Sequence, residues 1–340
     1  MKKIISTRLL EQKIYRRRNK WNDYKTKKNR ISNAKKKEKP NFRDRFNPFR
    51  TGTKVIAVPP RFSLLENTEI VLRFAEDCKQ LKQTNIKNVL LDFSKVVEIS
   101  HGSMALMLSV VHDLNLYNII VGGMIPDSSD AKEKFIQSGF LDFFESRIGG
   151  RSQHKNTIVV SGGGKIDQIG SAPEVEDAME TVFEKKSRNQ KLQGMIIEMM
   201  TNSVNHAFIN QHKNTKWYLS AFHEEDAKRV KFCFVDNGSG VLRTIQKKFW
   251  SEIATHLGGE EIIIKAFNGD FGSRTKQRER GTGLITIKSN FTENVINKLK
   301  VVTNNYFYDF DNQIVKKLKN GFNGTFYFWE LDETCKNVNY

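Results

Sequence analysis

Gly194-Met-Ile-Ile-Glu198-Met-Met-Thr-Asn202-Ser-Val-Asn205-His206-Ala207 carries a carboxylate, an amide and an imidazole at intervals of four inside an otherwise apolar run. At about 100° per residue this spacing predicts a helix. Glu198, Asn202 and His206 stack on one face with Asn205 beside them, and Leu192, Ile196, Met199, Ser203 and Ala207 form a neighbouring face suited to a core. Such a polar row is, by itself, what any solvated helix face shows.

Two later stretches change that weighing. Val230-Lys-Phe-Cys-Phe-Val-Asp236-Asn-Gly238-Ser-Gly240 is a strand-like run ending in an acidic residue and two glycines, and Gly281-Thr-Gly283-Leu284 opens another apolar segment. In this order the three resemble the GHKL ATP-binding superfamily, which includes the gyrase, Hsp90 and MutL ATPases, the histidine kinases and the anti-sigma-factor serine kinases. Glu198-x-x-x-Asn202 resembles its N-box, Asp236-x-Gly238-x-Gly240 its first glycine box, Gly281-x-Gly283 its second, and Gly324-Thr325-Phe326 its final strand signature.

The resemblance implies roles. Asp236 would accept a hydrogen bond from the adenine amino group of ATP, with Gly238 and Gly240 letting the backbone approach the base. Gly281 and Gly283 would present N–H groups to the phosphates, Asn202 would coordinate Mg²⁺, and Glu198 would orient or deprotonate the attacking group. His206 would help to shape the N-box, and Thr325 would join the nucleotide site. Residues 241–280 would form the ATP lid, ending in Arg274, Lys276, Arg278 and Arg280. Each motif also has a plain reading: Asp236-Asn-Gly238 is ordinary turn chemistry, and a glycine pair often precedes a helix.

Upstream, Val55–Val58, Val89–Phe93 and Ile119–Gly122 read as strands, alternating with helical patterns at 66–83, 104–114 and 131–138. The helix at 66–83 is expected to bring Ile70, Phe74 and Leu81 together. Strands alternating with helices imply an α/β layer domain, and residues 53–148 resemble a STAS domain, the fold of anti-sigma-factor antagonists. Where that family has Asp-Ser, with the serine as phosphoacceptor, this chain has Ser100-His101. Ser100 and Ser103 are read as helix-start caps, and no phosphorylation switch is carried over.

The expected organisation is α/β throughout: a basic arm at 1–50, a STAS-like domain at 53–148, a linker at 149–172 and a GHKL-type α/β sandwich at 173–334. In the sandwich, helices would pack on one face of a mainly antiparallel sheet built from Trp217–Phe222, Val230–Val235, Val301–Thr303, Tyr306–Phe310 and Gly324–Leu331. Its other face needs a cover, from the STAS-like region or from a second copy. Ser161-Gly-Gly-Gly-Lys165 lacks the spaced first glycine and the following Ser or Thr of a P-loop.

Of the formal net charge of +18, residues 1–50 hold nineteen Lys and Arg against four acidic residues, a net of +15. The arm could neutralise the phosphates of a nucleic acid, lie on an anionic membrane surface or act as a solubilising tail. No apolar stretch is long enough to span a membrane or to make a signal peptide. Three scattered cysteines fit a reducing compartment, and the expectation is a cytoplasmic protein.

Function is thus expected to be that of a Mg-ATP-dependent regulatory protein, an ATPase or protein kinase, with a protein partner and with homodimerisation left open. Two alternatives stand beside it: a nucleotide-gated binding switch with little chemistry, and a nucleic-acid-associated ATPase in a stress or phage-defence pathway.

Overall fold

The computed structural model describes residues 52–143, 156–161, 166, 171–209, 216–245, 257–271 and 283–337. The basic arm, the glycine runs at 149–150 and 162–164, and half of the expected lid, with Arg274, Lys276, Arg278 and Arg280, lie outside them.

The chain is mixed α/β, with one parallel and one antiparallel sheet as its main layers. The N-terminal part runs β1 (Thr53–Ala57), β2 (Arg61–Phe62), α1 (Thr68–Gln80), β3 (Asn88–Asp92), β4 (Glu98–Ile99), α2 (His101–Leu116), β5 (Ile120–Met124) and α3 (Ser129–Gln137). Strands β1, β3 and β5 form a parallel sheet in the order β1-β3-β5, with Val55, Leu90 and Gly122 in one row, and β2 pairs with β4. Parallel neighbours need crossovers, which α1 and α2 supply. In α1 the buried face is Val71, Leu72, Phe74, Ala75 and Cys78, whereas Ile70, expected inside, is 53% exposed. Position 70 faces away because 71, 74, 75 and 78 repeat at the helical spacing.

The second part runs β6 (Thr157–Ser161), α4 (Ala172–Phe183), α5 (Gln190–Ile209), β7 (Trp217–Glu224), β8 (Arg229–Asp236), a helical turn at 241–245, α6 (Gly259–Asn268), α7 (Gly283–Thr292), β9 (Asn297–Asp309) and β10 (Ile314–Asp332). The antiparallel sheet has the order β6-β7-β8-β10-β9. Strand β6 falls inside the stretch expected to be a linker. The two short strands expected at 301–303 and 306–310 are one strand, β9, irregular where Phe322 faces Asn304. A Pro at its first turn starts α4, and Val175, Met179 and Val182 face inward.

Side chains of the antiparallel sheet alternate between two cores. Trp217, Leu219, Phe232, Phe234, Tyr327 and Trp329 pack with α4–α7 on one face. Tyr218, Cys233, Val235, Val302, Phe326 and Phe328 share the other core with the N-terminal helices. The face left in need of a cover is therefore covered in cis, by α1 and α2. Helix α2 is apolar all round because it is buried on both sides, between the two sheets. Its start is held by Ser100, whose Oγ accepts a hydrogen bond from the Ser103 N–H at 3.3 Å, so the capping expectation holds for Ser100, whereas Ser103 lies inside the helix with its hydroxyl 2.8 Å from Ser100 Oγ. Close approach requires a glycine at 102: a Cβ there would lie 2.8 Å from the Phe326 ring and 3.1 Å from Cys233 Sγ.

Three further contacts join the parts. His112 Nδ1 lies 3.0 Å from the buried Tyr218 hydroxyl. The His101 ring stacks on Phe222 at 3.5 Å between centroids. Glu69 at the start of α1 accepts hydrogen bonds from the N–H groups of Lys319 (2.7 Å) and Asn320 (3.0 Å) and from Asn320 Nδ2 (3.0 Å). Burial disfavours the Glu69 carboxylate, but these donors outweigh it and hold its pKa below the usual value.

Candidate functional site

Alternation along β8 brings Asp236, its last residue, onto the α5 side of the sheet, while Val235 points to α2. Asp236 stands in register with Thr325 on β10, and Thr325 with Thr303 on β9, so three polar side chains cross the sheet in one row. All three are buried. The Gly238 N–H donates to Asp236 Oδ1 at 2.8 Å, and Ser203 on α5 and Thr325 also hydrogen-bond the carboxylate. Burial nevertheless pushes its pKa up to about 6, partly offset by those donors. Among the described residues no cation pairs with this carboxylate, which is held out of water by neutral hydrogen-bond donors alone.

Helix α5 is the helix its spacing predicts, with Leu192, Ile196, Met199 and Ser203 on the buried face. Glu198 and Asn202 lie one turn apart beside that face, half-buried. Burial raises the Glu198 pKa. Asn202 Nδ2 is buried with no hydrogen-bond partner, an exception to the rule that buried polar groups are paired. His206 belongs to α5 by its backbone, and its side chain lies outside the described residues.

Gly283, the first residue of α7, meets this pair directly. A Cβ on Gly283 would lie 2.8 Å from Glu198 Oε2 and 2.9 Å from Asn202 Nδ2, so the backbone at the start of α7 comes as close to both side chains as glycine alone allows. The free N–H groups of a helix start favour negative charge. Gly281 lies outside the described residues. In the loop after β8 Gly240 adopts φ +78°, and on β10 Gly324 adopts φ +131° where a Cβ would fall 2.0 Å from the Asp236 carbonyl oxygen. These glycines are demanded by backbone conformation and close approach.

Glu198, Asn202 and Gly283 thus form one cluster, and Asp236, Gly238 and Thr325 another, joined through α5 by Ser203. Glycine positions 240 and 324 frame the second. Sequence reasoning missed Ser203, Thr303 and Asn304. The Val241 N–H donates to Thr303 Oγ1 at 2.8 Å and the Leu242 N–H to Asn304 Oδ1 at 3.0 Å. The signal available was the Thr303-Asn304-Asn305 break between two apolar runs, which reads as a strand end rather than as a point of attachment.

Among the described residues no group of three or more His, Cys, Asp or Glu side chains could hold a metal ion, and no helix is long and apolar enough to cross a membrane. The three cysteines are free and buried. The chain matches none of the known protein-family models and none of the curated proteins with which it was compared.

Proposed function

We propose that this protein binds Mg-ATP as a GHKL-type nucleotide-binding protein, with a STAS-like lobe on the back of its sheet, and acts in the cytoplasm as a regulatory ATPase or protein kinase. The observation that carries the reading is the approach of Gly283 to Glu198 and Asn202, in a chain whose Asp236 is buried and pairs with no cation among the described residues. Gly283 meets Glu198 and Asn202 across some eighty residues of sequence, and Ser203 on the same helix reaches Asp236, whereas coincidental turns have no reason to approach one another.

In this reading Asp236 accepts the exocyclic N–H of adenine, and guanine, with a carbonyl at that position, is refused. The start of α7 holds the phosphates through backbone N–H groups. The unpartnered amide of Asn202 fits a magnesium site, since turning it over presents the amide oxygen, and Mg²⁺ takes few protein ligands while phosphates and water supply the rest. The ion would neutralise charge on the phosphates. Glu198, made more basic by burial, takes the proton from the attacking water or protein hydroxyl. As that oxygen bonds to the γ-phosphorus, the bond to the β-phosphate oxygen breaks and ADP leaves.

The test combines titration and turnover. Calorimetry should give ATP binding with GTP at least tenfold weaker, the scale of one hydrogen bond to a charged group. Protein incubated with γ-labelled ATP should release label as phosphate or pass it to a partner, and Glu198→Gln should bind ATP nearly normally while turnover falls by about 10² to 10⁴. Equal affinity for ATP and GTP would remove the role of Asp236, and full turnover in the glutamine variant would remove that of Glu198.

A further inference from the structure

We infer that Asn304 is the positioning residue that fixes the loop carrying Gly238 and Gly240 beside Asp236. The inference rests on the nucleotide reading above for what the loop is positioned to do.

Asn304 is 5% exposed and sits on β9 with φ +53°, where the pairing with β10 changes register. A left-handed residue inside a strand is uncommon, and asparagine tolerates it better than most. The irregularity turns its side chain away from the ladder and toward the loop after β8. There one amide serves both sides of the loop. Its Nδ2 donates to the Ser239 carbonyl at 2.8 Å, and its Oδ1 accepts from the N–H groups of Leu242 (3.0 Å) and Arg243 (3.4 Å). Thr303 takes the Val241 N–H. The N–H groups that begin the helical turn at 241–245 are therefore capped from a strand distant in sequence, not by the residue before the turn.

Gly240 lies between these anchor points. A Cβ there would fall 2.6 Å from Asn304 Oδ1, so loop and amide are in direct contact. The Gly238 N–H, two residues earlier, donates to Asp236 Oδ1. The loop is tied at one end to the carboxylate and at the other to Asn304. Without Asn304 the loop keeps only the Thr303–Val241 tie at that end, and Ser239, Leu242 and Arg243 lose the contacts that set their distance from Asp236. Asn304 touches neither the Asp236 carboxyl nor the Glu198–Asn202 cluster in any hydrogen bond described, so it acts through the loop.

Two variants of the full chain test this. Asn304→Gly keeps the left-handed backbone but removes the amide, and Asn304→Asp keeps the acceptor for Leu242 and Arg243 while losing the donor to Ser239. ATP affinity is measured by calorimetry well below each melting temperature, and amide hydrogen exchange is followed by mass spectrometry. In Asn304→Gly, ATP should bind about tenfold more weakly, with faster exchange confined to residues 239–244. Asn304→Asp should retain protection there and recover part of the affinity. A merely structural role would instead raise exchange along β8 and β9 alike and leave affinity below the melting temperature unchanged, which would overturn the inference. ATP affinity in Asn304→Gly within twofold of the parent would do the same. If the parent binds no ATP, the nucleotide reading fails and takes the positioning role with it, and unchanged exchange at 239–244 would separately remove the anchor.

Discussion

Asp236 is a buried carboxylate kept at a cost to the fold. Burial raises its pKa to about 6, so the folded chain holds that proton more tightly than the unfolded chain, whose aspartate titrates near the ordinary value. For a raised pKa, the stabilisation is complete below the unfolded value and is lost as pH rises through about 6. Above that pH the ligand-free protein carries a charge it would be more stable without, by roughly 3 kcal/mol. Asp236→Asn should therefore raise the melting temperature at pH 7.5 and leave it nearly unchanged at pH 4, while abolishing the preference for ATP. Melting curves across pH 4–8 with and without ATP decide it. A variant that is less stable than the parent at pH 7.5 would show that the carboxylate is structural.

Two glycines make opposite demands on their elements. Gly194 lies on α5 with no atom within 4 Å of where a Cβ would stand, whereas a Cβ on Gly102 would meet the Phe326 ring and Cys233. Gly194→Ala should stabilise the protein by about 0.5–1 kcal/mol, because alanine loses less backbone entropy in a helix. Gly102→Ala should destabilise it by about 1–3 kcal/mol, since α2 is held on both sides and cannot back away. Denaturant midpoints measure both, and equal signs would mean that α2 does not pack as closely as described. The elements themselves were legible where one local pattern decides them. The four-residue spacing of Glu198, Asn202 and His206 gave α5, and apolar runs gave β7 and β8. Strand β6 was not legible, because glycine runs flank it and its place depends on pairing with β7. Nor was β9 as one strand, because a left-handed asparagine looks like a strand end. The glycine pairs at 238/240 and 281/283 were legible as such, but Asn304 was not, since its partners are some sixty residues away in sequence.

At the scale of the molecule, the need for a cover on the second sheet face could be read from alternation in β7, β8 and β10, but which segment supplies it depends on packing that no local pattern encodes. The cover is α1 and α2, and it leaves the part from β6 onward dependent on the part before it. Tyr218, Cys233, Val235, Val302, Phe322, Phe326 and Phe328 are all buried in the shared core. Without residues 1–143 these side chains would form a contiguous apolar face far larger than single domains usually expose, and Lys319 and Asn320 would lose the carboxylate of Glu69. A chain beginning at residue 156 should therefore aggregate or bind a hydrophobic dye strongly, and the full chain should unfold in one cooperative transition. Glu69→Ala tests the joint more gently. It removes the acceptor of three hydrogen bonds and should lower stability by about 1–3 kcal/mol without splitting that transition. Calorimetric scans of the parent and the alanine variant, with size-exclusion of the shorter chain, supply the readouts. Two separate transitions in the parent, or a monomeric 156–340 fragment that melts cooperatively, would mean that the two parts are independent domains in contact rather than one folding unit.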